Sequence, residues 1–129
     1  MKFSVVVHSA PYSSQGPLTA LKFCKALLAD GNELYRVFFF RDGVRIGDLL
    51  AVIPQDDINL QEQWQEFLRL NRVEATVCVS SALKRGILDQ QEASRYEKSG
   101  ANLSPLIEIA GLGQLVDACQ QSDRVINFG

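Results

Sequence analysis

The run Val73-Glu74-Ala75-Thr76-Val77-Cys78-Val79-Ser80 is strand-like and halts at the serine pair Ser80-Ser81, followed at once by Ala82-Leu83-Lys84-Arg85-Gly86. This pattern puts the Cys78 thiol at a strand-to-helix junction. In an open α/β sheet such junctions lie outside the carboxyl ends of the strands, where loops are exposed and the first free N–H groups of a helix point outward. Those groups, with the positive charges of Lys84 and Arg85 close in sequence, favour the thiolate, the form of cysteine that attacks sulfur. Ser80, Ser81 and the amides opening the Ala82 helix are the candidates to stabilise a negative sulfur. Lys84 and Arg85 serve either as longer-range attraction and docking surface or as an ordinary solvated helix face. The competing role for any free cysteine is that of a small buried hydrophobe.

That competing role suits the other two cysteines. Cys24 recurs with Ala20, Leu21, Leu27 and Leu28 at helical spacing, and Cys119 lies four residues beyond Leu115, so both are expected to pack. Three cysteines, odd in number, far apart and without a CxxC pair, argue against a disulfide framework and a structural zinc site, and they suit a reducing cytoplasm. His8 is the only histidine, so no histidine cluster exists for a metal. A Cys78–His8 pair needs both groups to meet above the sheet; a histidine that ends a strand and bonds to neighbouring backbone is the plainer alternative.

Two phosphate-binding motifs weaken on inspection. Gly111-Leu112-Gly113 sits between a strand and a helix, but Val116 occupies the third glycine position of a dinucleotide fingerprint. The loop at residues 9–16 offers hydroxyls at a helix start, yet it lacks the lysine and spacing of a Walker loop. No cofactor and no metal are expected.

The chain has 129 residues, 47% hydrophobic and 22% charged, which suits a single domain over residues 1–129 with a core of its own. A net charge of −2 gives no bulk attraction for a phosphate backbone, so direct nucleic-acid binding is disfavoured. Met1-Lys2 runs straight into an apolar strand too short for a signal sequence, and no apolar stretch reaches membrane-spanning length. The expectation is a protein that is not exported and has no membrane association.

Strand and helix signals alternate along the chain. Phe3-Ser4-Val5-Val6-Val7-His8 is a first strand; Pro17 opens a helix that Asp30-Gly31 stops. Residues 34–40 form a second strand, apolar enough at its end to be buried on both faces. Residues 44–58 give no clear pattern and are expected to be loop with room for one helical turn. Asn59 and Glu62 make a capping pair for an amphipathic helix carrying Leu60, Trp64, Phe67 and Leu68. Asp89 and Glu92 make a second pair, opening a helix at 90–98 that is polar nearly all round. Residues 90–104 are therefore expected to be mobile or to dock on a partner, and the apolar stretch at 49–53 to stay partly uncovered. Strands at 106–109 and 124–128 flank a last helix carrying Leu115, Val116 and Cys119. Five strands alternating with helices imply a mostly parallel sheet covered on both faces.

Three segments carry a resemblance: Phe38-Phe39-Phe40-Arg41-Asp42-Gly43-Val44, Val77-Cys78-Val79-Ser80-Ser81-Ala82-Leu83-Lys84-Arg85-Gly86, and Gly111-Leu112-Gly113 ahead of Asp123-Arg124-Val125-Ile126-Asn127-Phe128. With them the chain resembles the DsrE/TusD family of sulfur-relay proteins from Met1 to Phe128. The resemblance implies a flavodoxin-like three-layer α/β fold and a sulfurtransferase role, with Cys78 as the cysteine that carries sulfane sulfur as a persulfide. It implies TusB-like and TusC-like partner subunits in a heterohexamer, a TusA-like donor, a TusE-like acceptor and a service to tRNA wobble thiouridine synthesis. The same resemblance leaves open sulfur transfer in dissimilatory sulfur oxidation, or a non-catalytic scaffold subunit. A homo-oligomer is expected when the chain is alone. A flavin or nucleotide binder on the same fold rests on fold analogy and is disfavoured by the glycine pattern.

Overall fold

A computed structural model describes residues 1–129. Five strands, β1 (Lys2–Val7), β2 (Glu33–Phe39), β3 (Glu74–Cys78), β4 (Glu108–Ala110) and β5 (Arg124–Phe128), form one sheet in the order β4-β3-β2-β1-β5. All of the pairings are parallel, so every strand ends at the same edge. The helices are α1 (Gly16–Ala29), α2 (Leu60–Asn71), α3 (Val79–Lys84), α4 (Gln90–Arg95) and α5 (Gly113–Gln121), with a 3₁₀ helix at Arg41–Gly47.

The chain steps in one direction from β1 to β4 and then doubles back to place β5 on the far side of β1. Because parallel crossovers keep one hand, that reversal puts the helices of the two directions on opposite faces. Alternation along the strands divides the side chains accordingly. Val5, Val7, Val37, Phe39, Ala75 and Val77 join the main core, which includes Leu21, Cys24 and Trp64 from α1 and α2. Val6, Phe38 and Cys78 face the other way in a smaller cluster, packed by Phe40, Leu115 and Val125. Trp64 anchors the main core: its indole N–H donates to the Pro17 carbonyl at 3.1 Å, and its ring meets Phe39 edge-on at 5.2 Å. An indole this deeply buried needs such an acceptor.

The thinner face is held by polar contacts as well as packing. From β2, the buried Arg36 guanidinium donates to the Gln114 carbonyl and to Asp117 Oδ2, both at 2.9 Å, and to Glu74 Oε2 at 2.8 Å. Tyr35 adds a bond to the same Asp117 oxygen at 2.7 Å. One guanidinium thus fastens α5 to the middle of the sheet, a use suited to its fixed fork of donors.

Local signals formed where the sequence places them. Pro17 lies in the first turn of α1, and Gly31, at φ 82°, takes the left-handed turn that ends it. The Asn59 side chain accepts from the Glu62 amide at 3.1 Å, and Asp89 does the same for the Glu92 amide at 2.8 Å.

Other expectations need correction. The helical turn allowed for within residues 44–58 begins earlier, as a 3₁₀ helix at Arg41–Gly47 whose Val44 and Ile46 are fully buried. Helix α4 ends at Arg95, and residues 102–104 are pinned: the Asn102 side chain donates to Asp48 Oδ1 at 3.0 Å and to the Gly86 carbonyl at 3.1 Å, and it accepts from the Leu88 amide at 2.8 Å. A single amide with donors and an acceptor satisfied ties three loops together, which helical periodicity does not register. β4 is a three-residue strand starting at Glu108, later than expected. The stretch at 49–53 is indeed uncovered, with Val52 92% exposed. No helix is long and apolar enough to cross a membrane.

Candidate functional site at the end of strand β3

Cys78 is the last residue of β3 and the N-cap of α3. Strand and helix abut without a linking turn. The helix begins at Val79, so Ser80 and Ser81 stand inside its first turn, a correction to the expectation of a serine turn ahead of a helix at Ala82. The early start matters chemically, because the free amides of a first turn then belong to the residues directly after the thiol.

The Cys78 sulfur lies 3.6 Å from the Ser80 hydroxyl oxygen. Burial pushes the thiol's pKa up, and it is the largest single influence. The Ser81 amide, the Ser80 and Ser81 hydroxyls and the Ser80 amide together outweigh it, leaving Cys78 below the ordinary value of 9.0. Hydrogen bonds from these groups favour the charged form of this sulfur.

Cys78 is nonetheless only 3% exposed, against the expectation of an open thiol. Its side chain points to the sheet face under α5, where it joins Val6 and Phe38 in a cluster packed by Phe40, Leu115 and Val125. Sequence position gave the edge of the sheet but not the face. Phe40 is half-buried, and its ring packs at 6.0 Å from Phe38 and 5.8 Å from His8, with the Arg41 guanidinium 5.7 Å away. The aromatic pair at 38 and 40 was legible as a period-two signal in β2, since both residues must share the face that Phe39 avoids.

The basic residues do not surround the sulfur. Arg85 Nε donates to Asp42 Oδ1 at 2.6 Å, and Arg85 Nη1 donates to the Ser81 carbonyl at 3.1 Å. Its charge is spent on Asp42, whose carboxyl it holds below the usual carboxylate range. Lys84 is exposed and pairs with no carboxylate. The serines are therefore brought to the thiol, while the two cations are directed elsewhere.

His8 makes no hydrogen bond to Cys78. Its Nε2 bonds to Asn127 Oδ1 at 2.8 Å, across the neighbouring strand ends. Two hydroxyls of the loop at 9–16 are used within the chain: Tyr12 accepts from the Leu60 amide at 2.9 Å and donates to Gln61, and Ser14 donates to the Gly129 carbonyl at 3.3 Å. Cys24 is wholly buried, as expected, and its thiol is pushed up to about 12 by desolvation. Cys119 is exposed on the outer side of α5, contrary to the packing role expected for it. It follows Ala118, the residue of that helix that is fully buried, so the helix turns Cys119 outward. No group of three or more His, Cys, Asp or Glu side chains gathers as a metal site.

Together these features describe a parallel α/β protein with one thiol at the carboxyl edge of its sheet, buried and held toward thiolate by the helix that follows it. The chain belongs to the DsrE/DsrF-like family, whose model matches residues 1–128. A protein of Allochromatium vinosum, provisionally designated sulfurtransferase DsrE, is 43% identical over 129 residues, covering 100% of this chain and 99% of that one. A sulfurtransferase TusD homolog of Pseudomonas aeruginosa is 42% identical over 129 residues, covering 100% of this chain and 98% of that one. Among solved structures, the YchN protein of E. coli superposes with a TM-score of 0.78 at 26% identity, covering 99% of each chain. The names of the relatives support a sulfur-transfer role for this chain.

Proposed function

We propose that this chain carries sulfane sulfur as a persulfide on Cys78 and passes it from a donor protein to an acceptor protein. The observation that carries the reading is the thiol at the junction of β3 and α3, facing hydroxyl and amide donors of Ser80 and Ser81. The Cys78 thiolate attacks the outer sulfur of the donor's persulfide; the donor's S–S bond breaks and the donor cysteine leaves as thiolate. The new persulfide on Cys78 is then attacked at its outer sulfur by an acceptor thiolate, and Cys78 leaves as thiolate in turn. Each step exchanges one S–S bond for another, so no oxidant or reductant is consumed. A single cysteine suffices, and the same donors that favour the attacking thiolate make Cys78 a good leaving group.

Within this reading the donor is TusA-like, the acceptor TusE-like, and the sulfur ends in the wobble thiouridine of tRNA. TusB-like and TusC-like subunits complete a heterohexamer in the cytoplasm. A second reading, sulfur transfer in dissimilatory sulfur oxidation, draws support from the 43% identical relative of Allochromatium vinosum. The acceptor separates the two: loss of this chain should abolish tRNA wobble thiolation under the first and leave it intact under the second.

The direct test is intact-mass analysis after incubation with a persulfidated donor protein. Wild type, Cys24→Ser and Cys119→Ser should each gain one sulfur atom, and Cys78→Ser should gain none. Sulfur retained by Cys78→Ser would falsify the assignment and favour a scaffold role.

A further inference from the structure

The corner that follows β2 grips α3 at one residue, by two routes. Arg41 has a left-handed backbone, φ 51°, and in that conformation its amide donates to Ser81 Oγ at 3.0 Å. Asp42, next along, holds Arg85 at 2.6 Å, and the same guanidinium donates to the Ser81 carbonyl at 3.1 Å. Ser81 is thus fixed by its hydroxyl oxygen and by its carbonyl.

The corner itself has little freedom. The Phe40 amide donates to the Val7 carbonyl at 2.9 Å, and a Cβ on Gly43 would lie 2.2 Å from that same oxygen, so the backbone passes where only glycine fits. A rigid corner can therefore set the position of α3 relative to β1 and β2.

Ser81 matters because of where its remaining groups point. Its hydroxyl oxygen already accepts the Arg41 amide, which leaves the hydroxyl proton to be donated, and the Ser81 amide lies in the free first turn behind the thiol. We propose that Asp42 is a positioning residue for Cys78: through Arg85 it fixes Ser81, so that the Ser81 amide and hydroxyl face the sulfur. Asp42 touches neither the sulfur nor any sulfur donor. The proposal rests on the reading of Cys78 as the reactive thiol, but its effect is visible without sulfur transfer. The direction of the Cys78 pKa, lowered by those Ser81 groups, agrees with it.

Simple electrostatics predicts the opposite sign, which makes the idea testable. The titratable and charged groups at this edge are His8 after β1, Arg41 and Asp42 after β2, and Lys84 and Arg85 on α3; Asp117 of α5 lies back along the sheet, tied to Arg36. Neutralising one carboxylate among them, with nothing else changed, would favour the thiolate. Losing the grip on Ser81 would disfavour it.

The experiment follows the rate of Cys78 alkylation by iodoacetamide against pH in the full-length chain, read by peptide mass, for wild type, Asp42→Asn, Ser81→Ala and the double variant. The proposal expects Asp42→Asn to raise the midpoint by about 0.5 to 1 pH unit, slowing alkylation near neutral pH about three- to tenfold. In the Ser81→Ala background the same change should have a smaller effect, since of the two Ser81 groups that Asp42 positions through the carbonyl only the amide is left. Arg85→Lys, which keeps the charge but not the fork, should fall between wild type and Asp42→Asn. A midpoint that falls or stays put in Asp42→Asn overturns the proposal, and so does a full-sized rise that persists without the Ser81 hydroxyl. A folded Asp42→Asn protein, shown by an unchanged circular dichroism spectrum, keeps a global loss of structure from imitating the result. Failure of sulfur transfer at Cys78 with these midpoints as expected would remove the relay reading and leave the positioning role standing.

Discussion

Phe39 and Phe40 are neighbours in sequence and lie on opposite sides of the sheet: the ring of Phe39 stands 5.2 Å from Trp64 in the main core, while Phe40 packs against the smaller cluster that holds Cys78. One peptide bond separates a residue of the main core from one that packs on the cluster holding Cys78. The same substitution at the two positions therefore has different consequences.

Phe39→Ala should destabilise the protein by about 3 to 5 kcal/mol, the usual cost of emptying a phenylalanine site in a packed core. Phe40→Ala should cost well under half of that, because its ring is half-buried, and should speed Cys78 alkylation at fixed pH several-fold by uncovering the sulfur. Urea unfolding and alkylation rates measured on both variants check the contrast. A Phe40→Ala protein whose Cys78 reacts no faster would show that another group is the cover.

Cys24 and Cys78 should make stability depend on pH in opposite senses. Cys24 stays protonated in the folded chain up to about 12, whereas in the unfolded chain it ionises near its ordinary value of 9.0. Its favourable contribution is complete below pH 9 and disappears as pH climbs toward 12, a loss of up to about 4 kcal/mol. Cys78, lowered on folding, gives the reverse slope between its folded pKa and 9.0. Cys24→Ala should flatten the alkaline decline in unfolding free energy between pH 9 and 11, and Cys78→Ala should steepen the net decline near pH 9.

Arg36 is the fastening of α5, and removing its partner should hurt more than removing Arg36. Asp117→Ala leaves a buried guanidinium with Glu74 as its only remaining carboxylate, and a loss of about 2 to 4 kcal/mol is expected. Arg36→Met leaves Asp117 and Glu74 free to hydrate at the surface and keeps most of the buried volume, so about 1 to 2 kcal/mol is expected. Denaturant midpoints for the two variants give the order, and equal losses would mean that packing alone holds the helix.

Leu50 and Val52 are 73% and 92% exposed in one loop, with Ile58 also uncovered. Single exposed apolar residues are ordinary, but a run of them marks a surface that gains from being covered. The isolated chain is expected to form a homo-oligomer through it, and Val52→Asp should shift light-scattering mass toward the monomer while leaving Tm within about 2 °C. A wild-type monomer would count against this surface as a self-contact.

The sequence by itself determined the order of strands and helices and the bounds of those with local signals, because apolar periodicity, Pro17, Gly31 and the Asn59 and Asp89 caps act over a few residues; the starts of α3 and β4 and the end of α4 it left to the tertiary structure. It also placed Cys78 at the end of a strand. It did not decide on which face the sulfur lies, that Cys119 faces solvent while Cys78 does not, or that Arg85 is taken by Asp42, forty-three residues away in sequence. Those outcomes depend on the doubling back of β5, which puts α5 over Cys78, and on the corner at Arg41, which reaches α3 only after β2 and β3 pair. Local pattern fixes the period of a chain; which side of a sheet is buried, and which charge meets which, is settled when distant segments compete for the same space.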